Sequence, residues 1–251
     1  MLITCEWDGR EYMSDLSRPV SIAITLQPGP AQPNAFAAPP FTVTPVRDGD
    51  FIGAIAQGGP VNFFNIEVNP HGNGTHTECV GHIVDGDYSI DKLLRNTLLV
   101  AELVSVFPTI NESGDRVITD TSLVALSTTG SPALIVRTLP NETDKTTRHY
   151  TGTNPPYFSP DAMRWIRNRG VEHLLTDLPS VDPEHDGGAL TAHKIFWDVP
   201  ENPESGKTIT EMVFVDNNVE DGLYLLTIQI APLALDVSPS RPLLFRMKPI
   251  S

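Results

Sequence analysis

A chain of 251 residues, 40% of them apolar, is long enough to bury a sizeable core, and the expectation is one domain spanning 1–251. Its formal charge of −14 argues against a nucleic-acid or anionic-membrane partner and argues for no particular substrate. Two cysteines, Cys5 and Cys79, make no disulfide framework, and the opening Met1-Leu2-Ile3-Thr4-Cys5-Glu6-Trp7-Asp8 has neither a basic segment nor a long apolar run, so the expected compartment is the cytoplasm. The most apolar stretch, residues 97–107, is too short to span a bilayer and contains Glu102.

Residues 20–26, following Arg18-Pro19, read as a strand. Residues 27–60 are rich in Pro, Gly and Ala and read as a long loop. Phe36, Phe41 and Phe51 make that loop either an apolar cover over a site or a wandering packed segment. Residues 64–68, Phe-Asn-Ile-Glu-Val, alternate apolar and polar and read as a half-buried strand that Asn69-Pro70 breaks.

Three of the seven histidines follow at once, in Asn69-Pro70-His71-Gly72-Asn73-Gly74-Thr75-His76-Thr77-Glu78-Cys79-Val80-Gly81-His82. Neutral imidazole is the commonest metal ligand and carboxylate its usual companion. In an extended run over 75–82, His76, Glu78 and His82 share one face, because residues two apart point the same way. His71 is out of phase, and a turn at Gly72-Asn73-Gly74 can swing it back. The expectation is that His71, His76 and Glu78 bind a metal and that His82 stands beside it for proton transfer; the plainer alternative is a polar turn with solvated histidines. By the same parity Cys79 points away, as a packed thiol.

Further on, residues 89–94 read as a turn or short helical piece, and 98–107 and 132–138 as strands, the second covered on both faces. Residues 140–157 form a second polar loop, near which Arg137 and Arg148 are read mainly as solvated cations. Ser159-Pro160-Asp161 opens a helix, with Ser as N-cap and Pro at N1, which Gly170 closes. A strand over 171–178 completes a strand–helix–strand run, the clearest sign of an α/β fold. His193 sits in an apolar stretch and reads as a packed histidine. Glu211 lies inside a strand read over 208–215, where a buried carboxylate is costly unless paired or bound to a metal. A last strand covers 223–231.

Gly74-Thr75-His76-x-Glu78, with His82 four residues beyond the carboxylate, resembles the cyclase family of metal-dependent hydrolases, whose best-known member is bacterial kynurenine formamidase and whose pattern is H-x-G-T-H-x-D-x-P-x-H. Asp15-Leu16-Ser17, residues 174–182, His193, Glu211, Pro232 and Ser240-Arg241-Pro242 extend the resemblance over most of the chain. It differs in three places: the first His lies five residues before His76 instead of four, Glu78 replaces Asp, and Val80 replaces Pro, with Cys79 added. The resemblance implies a swivelling β/β/α barrel-like fold and a homodimer or larger assembly. It implies His71, His76, Glu78, His193 and Glu211 as ligands of one or two divalent ions, zinc foremost and manganese second, and His82 as general acid/base. The implied reaction is hydrolysis of a small C–N bond, in an aryl formamide such as N-formylkynurenine or in a cyclic amide. The alternatives are a lactone- or polyketide-type carbonyl hydrolase or dehydratase of the same family, and a non-catalytic metal-binding relative.

Overall fold

The computed structural model describes residues 1–201, 203 and 206–250. Its centre is a closed barrel of seven strands. We number them in chain order: β1 (His76–Cys79), β2 (Leu98–Val106), β3 (Ala133–Thr138), β4 (His173–Thr176), β5 (Thr208–Glu211), β6 (Gly222–Ile230) and β7 (Val237–Arg246). The order around the wall is β6-β2-β3-β4-β5-β1-β7, and pairing of β6 with β7 closes it. The run β2-β3-β4-β5 is parallel, and every other pairing of the wall is antiparallel.

Alternation along each strand sorts side chains to two faces. Inward, Ala101, Leu103, Ala133, Ile135, Leu175, Leu226, Ile228 and Leu244 fill the barrel. Outward, Val104, Val106, Leu134, Val136, Leu174 and Ile209 form a second core under the helices. The β3 sequence Ala-Leu-Ile-Val-Arg-Thr is buried throughout because both of its faces are covered.

Four helices are described: α1 (Ile90–Leu93), α2 (Asp120–Leu126), α3 (Pro160–Asn168) and α4 (Thr191–Phe196). Helix α3 starts as its sequence predicts, with Ser159 Oγ accepting from Ala162 N at 3.1 Å, and it buries Ala162, Met163 and Ile166 against the outer face. Among the described residues no helix is long and apolar enough to cross a membrane.

Several local expectations are corrected. Residues 20–26 are strand only at Val20–Ser21. Beyond Ser21 the segment changes partners: Phe214 N donates to Ile22 O, Ala23 bridges Val213, and Ile24 N donates to Thr75 Oγ1. The long loop contains two small antiparallel ribbons, Thr42–Pro45 with Phe64–Glu67 and Arg47–Asp48 with Phe51–Ile52. Strand Phe64–Glu67 is exposed on both faces, because its pairing partner is this ribbon and not the barrel. Arg137 is no solvated cation: it is buried and donates to Ser105 Oγ, Asp216 O, Val219 O and Asp221 Oδ1. Residues 2–15, which carried no assignment in the sequence, form the hairpin Leu2–Trp7/Arg10–Asp15.

Candidate metal centre

The His-rich stretch folds in three steps. Asn69 ties the turn at its head: its side chain and backbone oxygens accept from Gly72 N at 3.0 and 3.2 Å, and Asn73 Oδ1 accepts from Asn69 N at 2.7 Å. Gly74, at φ +147°, then turns the chain into β1. After Cys79 the chain leaves the strand for one 3-10 turn, Val80–His82. The expected extended run over 75–82 is therefore overturned, and it is this turn that brings His82 back.

Within β1 the parity argument holds. His76 pairs across to Glu211 of β5, and Glu78 to Ile209, so all four lie on the outer, helix-covered face. Thr77 and Cys79 point inward; Thr77 Oγ1 meets Thr210 Oγ1 at 2.8 Å, and Cys79 is fully buried. Burial pushes the Cys79 thiol up to about 11. Glu211 ends its strand because Met212 takes a left-handed φ of 51°.

His193 arrives on α4. Asp182 places it, accepting from Ala192 N (2.7 Å), His193 N (3.1 Å) and His193 Nδ1 (2.6 Å). One carboxylate thereby satisfies the first-turn donors of a short helix and sets the imidazole's orientation. Glu211 Oε1 in turn accepts from Val181 N at 3.0 Å.

The structure brings all six residues singled out in the sequence to one place. His71 Nδ1 lies 3.2 Å from Glu78 Oε2, His193 Nε2 lies 3.1 Å from Glu78 Oε1, and His76 Nε2 lies 3.4 Å from Glu211 Oε2. His82 Nδ1 lies 3.8 Å from Glu78 Oε2. The rings of His71 and His82 lie with centroids 4.4 Å apart, tilted by 38°. His76, Glu78, His193 and Glu211 are buried, whereas His71 and His82 are partly exposed. Asp236, which carries no motif in the sequence, joins them from the residue before β7: its Oδ2 lies 2.9 Å from His71 Nε2 and 3.4 Å from His82 Nδ1.

Two buried polar atoms at the centre, His76 Nε2 and Glu78 Oε2, lack a hydrogen-bond partner among the described residues. Such atoms are costly unless something else satisfies them. The donor chemistry says what. His76 Nδ1 is tied to Gly74 O at 2.8 Å and His193 Nδ1 to Asp182 Oδ2 at 2.6 Å, so a neutral form of either ring would present its Nε2 lone pair to carboxylate oxygens. Lone pairs facing lone pairs call for a cation. Imidazole nitrogens and carboxylate oxygens are the donor set a divalent ion such as zinc takes, and the separations of 3.1, 3.2 and 3.4 Å bring them close enough for a cation to be shared. Three triads, His71–His76–Glu78, Glu78–His82–His193 and His71–His82–Asp236, each offer ligand atoms within 4.8 Å of one another. The residues fit a divalent metal.

Without a cation, protons take its place. Burial pulls the His71 imidazole down, yet the Asp236 and Glu78 carboxylates prevail and raise it to about 10. Burial likewise opposes His193, and Asp182, Glu78 and Glu211 raise it to about 10. Burial works to raise Glu78, but His82, His193 and His71 hold it well below the usual carboxylate range.

A cavity of about 530 Å³ opens beside His71 and Asp236, walled by Pro39, Pro40, Val68 and Leu235. Asn73 Nδ2 donates to Pro39 O at 2.9 Å and Ala35 N to Gly72 O at 3.0 Å, which pins the 27–40 loop over the cluster. The cover is thus made by prolines; Phe36, Phe41 and Phe51 do not line this cavity. A larger cavity of about 590 Å³, around Lys145, Tyr150 and Asp177, includes none of the clustered residues.

The family model Cyclase, described as "Putative cyclase", matches residues 14–183, more than half of the chain. Among curated proteins none matches significantly. Several solved structures share the fold, three of them as follows. One, titled a "predicted metal-dependent hydrolase" from Bacillus stearothermophilus, is 18% identical with a TM-score of 0.65 and covers 91% of this chain and 98% of its own. An isatin hydrolase bound to the product analogue thioisatinate is 16% identical, with a TM-score of 0.66 and 92% of each chain covered. Isatin hydrolase A from Ralstonia solanacearum is 15% identical, with a TM-score of 0.64 and 91% of each chain covered. With its closed barrel, its His-Glu cluster on the barrel's outer face and a model match across most of its length, the chain belongs to the cyclase family.

Proposed function

We propose that this protein is a metal-dependent hydrolase that cleaves a C–N bond of a small amide. The observation that carries the reading is the convergence of His76 Nε2 and Glu78 Oε2, both buried and, among the described residues, without a hydrogen-bond partner. A divalent cation, when bound, supplies Lewis acidity toward a carbonyl and lowers the pKa of a water to about 7. His71, His76, Glu78, His193 and Glu211 would hold it, with zinc expected first and manganese second.

The rest belongs to the chain. Asp182 and Gly74 O fix the rings of His193 and His76, so the site is formed before substrate arrives. His82 is the general acid/base: it is partly exposed, beside the buried acids but not enclosed by them, and reachable from solvent. It takes a proton from the attacking water and returns one to the leaving nitrogen. Pro39, Pro40, Val68 and Leu235 give the cavity beside His71 apolar walls suited to a small flat ring. Cyclic amides are favoured over aryl formamides such as N-formylkynurenine, because the isatin hydrolases are structural neighbours and isatin is a cyclic amide.

The test pairs two variants with elemental analysis and a panel of cyclic amides, formanilides and lactones. His76→Ala is expected to lose metal and turnover together. His82→Ala is expected to keep its metal and lose about 10²- to 10⁴-fold in kcat. Turnover by His82→Ala at the wild-type rate would remove the acid/base assignment. Absence of stoichiometric metal after reconstitution would remove the hydrolase reading, and activity on lactones alone would move it to the carbonyl-hydrolase alternative.

A further inference from the structure

The three histidines nearest the buried acids are not oriented alike. His76 and His193 tie back Nδ1, to Gly74 O at 2.8 Å and Asp182 Oδ2 at 2.6 Å, and present Nε2 to the centre. His71 is reversed. Its Nε2 meets Asp236 Oδ2 at 2.9 Å, and its Nδ1 faces Glu78 Oε2 at 3.2 Å. A neutral imidazole carries one N–H and one lone pair, and the nitrogen that donates to an outer acceptor cannot be the one that ligates.

Asp236 is held for this contact by its backbone. Its carbonyl accepts from Cys79 N at 2.9 Å, and that of Leu235 accepts from Ile90 N at 2.7 Å. Gly81 permits the approach: a Cβ there would come 3.3 Å from Asp236 Cβ and 2.7 Å from Tyr88 O. The segment before β7 is thereby locked against the turn that carries His82, and its carboxylate is delivered to the outer edge of His71.

We propose that Asp236 is a positioning residue of the metal centre: by accepting the Nε2–H of His71 it fixes the tautomer in which Nδ1 is the ligating nitrogen. The inference rests on the metal reading above. Carboxylate–histidine–metal relays of this kind fix ring orientation and raise ligand basicity, and losing the outer partner costs about 10- to 100-fold in metal affinity.

The experiment measures zinc affinity of the metal-stripped full chain by chelator competition, with metal stoichiometry by elemental analysis. Asp236→Ala is expected to weaken zinc binding about 10- to 100-fold at unchanged stoichiometry. Asp236→Asn, whose amide oxygen still accepts from Nε2–H, is expected to recover most of that loss. A second pair needs no change at Asp236: His71→Asn puts an oxygen near the Nδ1 position, His71→Gln near Nε2, and the Asn variant is expected to bind zinc more tightly. Wild-type affinity in Asp236→Ala overturns the positioning role, as does loss of one whole ion per chain, which would make Asp236 a ligand itself. Tighter binding by His71→Gln than by His71→Asn overturns the assigned nitrogen. His76→Ala separates the two levels: if it binds zinc like the wild type the metal reading itself fails, whereas its loss of zinc beside an unaffected Asp236→Ala sinks the Asp236 inference alone.

Discussion

His71 and His193 show at the residue scale what the cluster does with its charge. Each is raised to about 10 in the folded, metal-free chain, against burial, by neighbouring carboxylates. An unfolded histidine titrates near 6.5. A group raised on folding contributes stability that is fully present below the unfolded value and is lost as pH rises through the folded one. The metal-free protein is therefore expected to lose thermal stability between about pH 6.5 and pH 10. Glu78, Asp182 and Asp236 are shifted the other way. Their contribution is present above the ordinary carboxylate range and is lost as pH falls below it. A cation displaces the protons on His71 and His193, so loading at pH 7.5 is expected to release up to about two protons per chain in a weakly buffered titration. Loading without proton release would show that the two imidazoles were already neutral.

At the scale of elements, the ends of strands matter most. Thr138 closes β3 and Asp177 follows β4, and buried Lys145 bridges them, donating to Asp177 Oδ2 at 2.7 Å and to Thr138 O at 2.7 Å. Burial pushes the Asp177 carboxyl up and Lys145 pulls it back. Removing one partner strands the other, so Lys145→Met is expected to cost about 3–5 kcal/mol in denaturant unfolding; a loss below about 1 kcal/mol would mean that Asp177 is protonated in the fold. The helices were partly legible. Ser159-Pro160 announced α3, because cap and first-turn chemistry are local. Thr119, whose Oγ1 caps α2 by accepting from Ser122 N at 3.4 Å, is a local signal of the same kind, as is Asp8-Gly9 at the tip of the N-terminal hairpin. Strand Phe64–Glu67 misled because alternation reports the pattern of a strand and not what packs on it.

At the scale of the molecule, five of the exposed large apolar side chains fall within residues 55–66. Ile55, Val61, Phe63, Phe64 and Ile66 are all exposed, on or beside the Phe64–Glu67 ribbon. A homodimer is the expected assembly, and a stable one buries about 800 Å² per partner. Sedimentation is expected to give a dimer, and charged substitutions at Phe63 and Ile66 to give a monomer; a monomeric wild type would remove the expectation. The barrel itself explains how residues more than a hundred positions apart meet. Antiparallel pairing of β5 with β1 sets Glu211 opposite His76, and α4 drops His193 onto the same outer face.

What the sequence determined alone was local chemistry: which imidazoles and acids cluster in 71–82, that His76 and Glu78 share a face, that Cys79 does not, and where α3 begins. Those follow from spacing, strand parity and capping, which act over a few residues. That His193 and Glu211 join them was implied by the family resemblance and not by their own surroundings in the sequence; only the tertiary structure decided that a 3-10 turn and not an extended strand returns His82, that Arg137 is a buried clamp, and that Asp236 stands behind His71. These depend on which strands pair and in what register. The free energy of such pairing is spread over the whole barrel, so no short stretch of residues announces it.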